Sequence, residues 1–114
     1  MINKDRISER FKMGKTLLNS ASHHEAIEVF IELINETAPF INEDNDAKIT
    51  WETSLINSGT AKCELGYSSR DKALYEAGLE DFRTASGVVN EEDKYHSAAV
   101  INLEKYQSRI GDFD

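Results

Sequence analysis

Cysteine is almost missing from this chain of 114 residues: Cys63 stands alone, so no internal disulfide can form. Its neighbours Ala61 and Leu65 mark it as a small apolar position, and a lone thiol fits a reducing cytoplasm. Proline is equally scarce. Pro39 is the only one, and it stands where an apolar cluster has just ended. Long hydrophobic runs are absent as well: the longest, Ala98 to Ile101, is far short of the roughly 18 residues of a membrane span. The charged start from Lys4 to Arg6 leads into no apolar signal core, so neither secretion nor membrane insertion is expected. Basic residues are outnumbered, 13 against 21 acidic, which leaves a formal net charge of -8. Such a chain repels phosphate backbones and anionic bilayers, which argues against nucleic acid and membrane as partners.

Catalytic and metal signatures are also wanting. No serine–histidine–acid spacing, phosphate loop or paired-cysteine motif occurs. His23 and His24 are adjacent, so on a helix they diverge by about 100°, and His96 is far from both in sequence. Glu43, Asp44, Asn45 and Asp46 lack the alternating ligands, central glycine and distant glutamate of a calcium loop. The sequence therefore predicts no catalytic residue, no metal and no cofactor.

What is present is apolar periodicity of three and four residues, the signature of an all-α fold. The first helix carries Ile7, Phe11, Gly14, Leu17 and Leu18 and breaks at Asn19 to Ser22. Ser22 and Glu25 have capping-box spacing and start a second helix with Ala26, Ile27, Phe30, Leu33 and Ile34, ending near Thr37 before Pro39. Asp44 to Asp46 open a long third helix through Trp51, Leu55, Gly59 and Cys63, with Gly66 expected to supply positive φ past its end. Ser68 with Asp71 offers a cap for a fourth helix through Leu74, Gly78, Phe82 and Ala85, ended by Gly87. Asn90, followed by Glu91, Glu92 and Asp93, caps a fifth through Tyr95, Ala99, Leu103, Tyr106 and Ile110, which Gly111 ends. Three short phrases, Ser20 to His23, Leu65 to Ser68 and Ile110 to Phe113, recur with a period of roughly 45 residues, room for two packed helices each.

Gly14, Ala26 and Phe30 have the spacing of small and aromatic residues in tetratricopeptide repeats, which the chain resembles over roughly residues 7–114. Gly59, Ala61, Leu65 and Gly66 resemble the end of a second helix A, and Leu79 to Ala85 a second helix B, with about seven extra residues between them. Those residues either lengthen the turn or add a helical turn ahead of Ala73, and Gly78 stands where the family prefers alanine. Val100, Leu103 and Tyr106 resemble a third helix A without its helix B, with Glu104 in place of the usual glycine. The resemblance implies one domain over residues 1–114: repeat one at about 3–38, repeat two at about 45–87 and a terminal helix at about 90–110. It implies about five helices in antiparallel hairpins, stacked as a short right-handed superhelix.

In that family the inner, concave face belongs to helix A. The resemblance carries this role onto Ser8, Phe11, Lys12, Lys15 and Asn19, then Thr53, Ile56, Asn57, Thr60 and Glu64, then Ala98, Ile101, Asn102, Lys105 and Arg109. Lys12, Lys15, Lys105 and Arg109 oppose the single anion Glu64, an imbalance that favours an acidic peptide or helix as partner. Asn57 and Asn102 fall at matching positions, and an amide can both donate to and accept from a peptide backbone. The basic clamp that some members use for a chaperone C-terminus is not matched: it wants lysine where Phe11 stands and asparagine where Lys15 stands. The expected function is a non-catalytic adaptor of the cytoplasm that holds another protein in its groove. The alternative is a structural protein that self-associates as a homodimer through its terminal helix, for which Tyr95, Val100, Tyr106 and Phe113 would supply the apolar surface.

Overall fold

In a computed structural model that describes residues 2–88 and 94–113, five α-helices and two 3-10 turns make up nearly the whole fold, with no strand among the described residues. Helix α1 (Lys4–Asn19) starts at Asn3, whose side-chain oxygen accepts from the Arg6 N–H at 3.1 Å. It ends on a left-handed residue, Ala21, with φ 61°. There the Ser22 N–H donates to Leu17 O at 2.8 Å and the Ala21 N–H to Leu18 O at 3.1 Å, which satisfies the last carbonyls and turns the chain into α2 (His23–Thr37). The expected Ser22–Glu25 capping box does not form. The Ser22 N–H is tied back to α1, and its hydroxyl lies 3.4 Å from that of Ser20. Helix α2 stops at Thr37, and Pro39 sits inside a 3-10 turn, Ala38–Phe40.

Helix α3 (Asn45–Ser69) is capped by the Asp44 carboxylate, which accepts from the N–H groups of Asp46 at 2.9 Å and Ala47 at 3.3 Å. Its far end corrects the sequence expectation. Gly66 lies inside the helix without positive φ, and Arg70, at φ 59°, is the left-handed residue. Glycine is needed at 66 for space instead: a Cβ there would lie 2.7 Å from Tyr75 N and 2.8 Å from Asp71 O. Helix α4 (Lys72–Val88) is capped by Asp71 itself, whose carboxylate accepts from the Leu74 N–H at 3.0 Å. Ser68 bonds back to Leu65 O and takes no part, and Gly87 lies within the last turn of α4 rather than ending it. Helix α5 (Lys94–Gln107) stops short of Gly111, which belongs to a second 3-10 turn, Ile110–Phe113. The cap expected from Asn90 to Asp93 lies outside the described residues. Of the three recurring phrases only the first is an inter-helix turn, since the second is helix interior and the third a 3-10 turn.

The two hairpins close differently because the second is longer. Helix α3 continues from Gly59 to Ser69, against Gly14 to Asn19 in α1, and α4 reaches Phe82 from Lys72, against Phe30 from His23 in α2. The insertion is therefore about one extra turn on each helix, and the turn between them is not lengthened. Close approach recurs in both hairpins: a Cβ on Gly14 would lie 2.8 Å from the Phe30 ring, and one on Gly59 2.8 Å from the Phe82 ring. Three apolar clusters follow. Ile7, Val29, Phe30 and Leu33 fill the first hairpin, while Cys63, Tyr75, Leu79, Phe82 and Tyr106 fill the second against α5. Trp51, Leu55, Ala85 and Ala99 join the hairpins, with Ile34 and Ile41 packed on them. Helices α1, α3 and α5 touch side by side, with α2 and α4 behind them, in a slab of 45 × 30 × 19 Å. No described helix is long and apolar enough to cross a membrane.

Ion pairs tie the two helices of each hairpin together. Arg6 bridges Glu32 and Glu36, Arg10 holds Glu32, and Lys62 Nζ lies 2.9 Å from Asp81. Two carboxyls are held below their ordinary range, Glu32 chiefly by its hydrogen bond from Arg10 and Asp44 chiefly by the Ala47 backbone N–H. The unfolded chain takes up these protons at higher pH than the folded one. Their stabilisation is thus complete above the ordinary carboxylate range and is lost as pH falls through the lower folded-state values. Thermal melts followed by circular dichroism should show Tm beginning to drop below about pH 4.5, and Glu32→Gln should flatten that drop. A pH profile unchanged by the substitution would remove this ion pair as a cause.

Candidate functional site

The side-by-side packing of α1, α3 and α5 creates one face built from the first helix of each hairpin and the terminal helix. Near the N-terminal ends of α1 and α3 this face opens into a cavity of about 490 Å³. Ile7 and Ala47 form its buried floor, and Ile2, Phe11, Ile49 and Tyr95 stand half-buried around it. Phe11 is held by an edge-to-face contact with Phe30, centroids 5.9 Å apart. Ser8, Thr50 and Thr53 supply the polar part of the wall, although the Thr53 hydroxyl is engaged by Ile49 O at 2.8 Å. At the mouth, Lys4 Nζ lies 3.1 Å from Asp46 and 3.4 Å from Asp44, so its charge is already matched, and Asp5 adds a further anion.

Farther along the same face the charge changes sign. Ser8, Lys12, Lys15 and Asn19 follow one another at helical spacing on α1, so Lys12 and Lys15 continue the cavity wall toward the turn, both exposed. Lys105 Nζ sits 5.0 Å from the centroid of the Tyr106 ring, and the Arg109 guanidinium carbon 5.7 Å from it. The Tyr106 hydroxyl donates to Glu64 Oε1 at 2.5 Å. Burial, then this bond to a carboxylate, pushes the Tyr106 phenol above its ordinary range. Asn102 donates to Ala98 O at 2.8 Å within α5, whereas the half-buried Asn57 amide makes no hydrogen bond among the described residues.

The cations of the molecule differ in what they hold. Lys4, Arg6, Arg10, Lys48, Lys62 and Arg83 each hold a carboxylate. Among the described residues, Lys12, Lys15, Lys105 and Arg109 hold none, and neither do Arg70, which donates to Asp112 O at 3.3 Å, and Lys94, which lies over the Tyr95 ring. The chain matches no family model, no curated protein and no solved structure. Its site is thus defined by geometry alone.

Of the residues singled out from the sequence, Ser8, Phe11 and Thr53 line the cavity, and Lys12 and Lys15 extend its α1 wall. Lys105 and Arg109 gather instead over Tyr106 on α5. Sequence reasoning missed Ile2, Ile49, Thr50 and Tyr95 as cavity residues. Thr50 was within reach, since it precedes Thr53 by one helical step, but Tyr95 depends on how the start of α5 meets α1 and α3. Chemistry elsewhere is muted. Burial pushes the Cys63 thiol up to about 12, so it is a protonated thiol at neutral pH and a poor nucleophile. His96 Nδ1 lies 3.0 Å from Ser86 O, and no three histidine, cysteine or carboxylate groups converge among the described residues.

Proposed function

We propose that this chain is a non-catalytic interaction module of the tetratricopeptide-repeat kind, working in the cytoplasm and holding an acidic peptide or helix of a partner protein on its α1–α3–α5 face. One observation carries this. In a chain of charge -8, where six cations have found carboxylates within the fold, Lys12 and Lys15 follow one another along the α1 wall beyond the cavity and hold none among the described residues, as do Lys105 and Arg109 over Tyr106. Cations kept free on an acidic protein are available for an external anion, and they steer its approach.

The test is capture of partner protein from native lysate by the wild type and by the triple variant Lys12→Glu, Lys15→Glu, Lys105→Glu. These positions are exposed, so the variant should keep the wild-type circular dichroism spectrum while its capture falls roughly tenfold or more. Added salt should weaken wild-type capture as well. Unchanged capture by the folded variant would falsify the groove assignment.

Self-association through α5 draws less support. Tyr106 is 3% exposed, and Phe113 packs on Tyr75 with ring centroids 5.0 Å apart, so two of the four side chains that motivated it are already used inside the fold. Tyr95 lines the cavity and Val100 is half-buried, so Ile101, at 64% exposure, is the strongly exposed apolar side chain on α5 that favours it. Light scattering across a dilution series separates the two, because a strict monomer excludes the dimer.

A further inference from the structure

Resting on the interaction role just proposed, we infer that the partner segment is bipartite: an extended peptide that seats one bulky apolar side chain in the cavity between α1, α3 and α5 and carries its carboxylates on one side of that anchor only, over Lys12 and Lys15. The cavity volume of about 490 Å³ falls in the roughly 300–1,000 Å³ range of sites that enclose compact ligands. Its floor and most of its wall are apolar, so the group it seats is apolar too. Its mouth is the wrong place for an acid. Lys4 is matched by Asp44 and Asp46, and Asp5 leaves a surplus of negative charge there.

The free cations lie on the other side. From Ser8 in the cavity wall to Lys15 the α1 helix rises roughly 10 Å at about 1.5 Å per residue. An extended peptide covers that distance in about three residues. Carboxylates two to four residues from the anchor, all toward Lys15, would gain from the cations and avoid the mouth, whereas carboxylates flanking the anchor would meet Asp5 and Asp46. The Asn57 amide, which makes no hydrogen bond among the described residues, can pair with the backbone of an extended chain in a way a helix would not permit.

The experiment is fluorescence polarisation with labelled twelve-residue synthetic peptides and the full chain at low salt. One set carries a single Trp, Phe, Leu or Met followed, after two to four neutral residues, by three glutamates. Controls replace the anchor by alanine, replace the glutamates by serine, split the glutamates to both sides, or move them about seven residues away. The protein is used as wild type, as Ser8→Trp, which fills the cavity from an exposed wall position, and as the pair Lys12→Glu and Lys15→Glu. At least one one-sided peptide should bind, at least about tenfold more tightly than its alanine, serine and split counterparts. Ser8→Trp should weaken it about tenfold while leaving the anchorless acidic peptide unaffected. The lysine pair should weaken the acidic peptides and leave the serine control unchanged.

If Ser8→Trp and the alanine control change nothing while the lysine pair still matters, the anchor is refuted and the acidic-groove function survives. If the lysine pair changes nothing, that function fails with it. Tightest binding at the seven-residue spacing would identify a helical occupant and overturn the extended one. Failure of every one-sided peptide to bind also overturns the inference.

Discussion

Phe82→Ala should lower the unfolding free energy by about 4 kcal/mol. The ring is fully buried and stacks on Tyr106, with centroids 5.7 Å apart and planes within 10°. It also fills the space that Gly59 leaves open, since a Cβ on that glycine would lie 2.8 Å from the ring. Truncation therefore opens a void bounded on one side by glycine backbone, which has no side chain to collapse into it. The remaining neighbours, Cys63, Leu79 and Tyr75, are held by their own contacts in the same cluster. Against a total of about 5–15 kcal/mol for a domain of this kind, the loss would remove a large part of the margin. Urea unfolding measures it directly, with Phe82→Leu expected to fall between the two. A loss below about 1.5 kcal/mol would mean that the hairpin closes over the void and that the glycine–aromatic pairing is not rigid.

Gly66→Ala should destabilise by about 2 kcal/mol, although the same exchange in an ordinary helix interior gains about 1 kcal/mol. The sign reverses because the new methyl has nowhere to go. All three of its nearest atoms are backbone, the Tyr75 N, the Asp71 O and the Tyr75 Cα at 2.7, 2.8 and 3.1 Å, so relief requires α3 and α4 to separate. Gly87→Ala is the matched control. Nothing lies within 4 Å of a Cβ there, and this helical glycine should yield a gain of roughly 0.5–1 kcal/mol when replaced. Thermal melts of the two variants should move in opposite directions. A Gly66→Ala protein more stable than the wild type would show that the helices do not approach as closely as the backbone indicates.

Helix identity and pairing were legible in the residues because they rest on short-range spacing. Gly14 with Phe30, and Gly59 with Phe82, each combine a missing side chain with an aromatic that occupies its place, and both pairs meet in the fold. The helix ends were not legible. Gly66 was expected to supply left-handed backbone, yet Ala21 and Arg70 do so, and Gly111, expected to end α5, lies past it in a 3-10 turn. A glycine can be required for its φ or for its emptiness, and the sequence does not distinguish the two. The charged face shows the same division. That Lys12, Lys15, Lys105 and Arg109 belong to one face was implied by the repeat resemblance, and Arg109 proves to lie past the end of α5; that they hold no carboxylate among the described residues emerges only once Lys4 has paired across 42 positions and Arg6 across 26 and 30. The cavity was half legible: Ser8, Phe11 and Thr53 were implied by the repeat resemblance, while Ile2 and Tyr95 arrive from chain segments that periodicity does not relate to them.

Trp51, the chain's only tryptophan, is 8% exposed in the cluster that joins the two hairpins. Its cluster mates come from α2, α3, α4 and α5 through Ile34, Leu55, Ala85 and Ala99. The protein thus carries a native fluorophore at the seam between its two hairpins. Sliding of one hairpin against the other would leave helix content untouched and circular dichroism silent, yet it would let water reach the indole and shift its emission to the red.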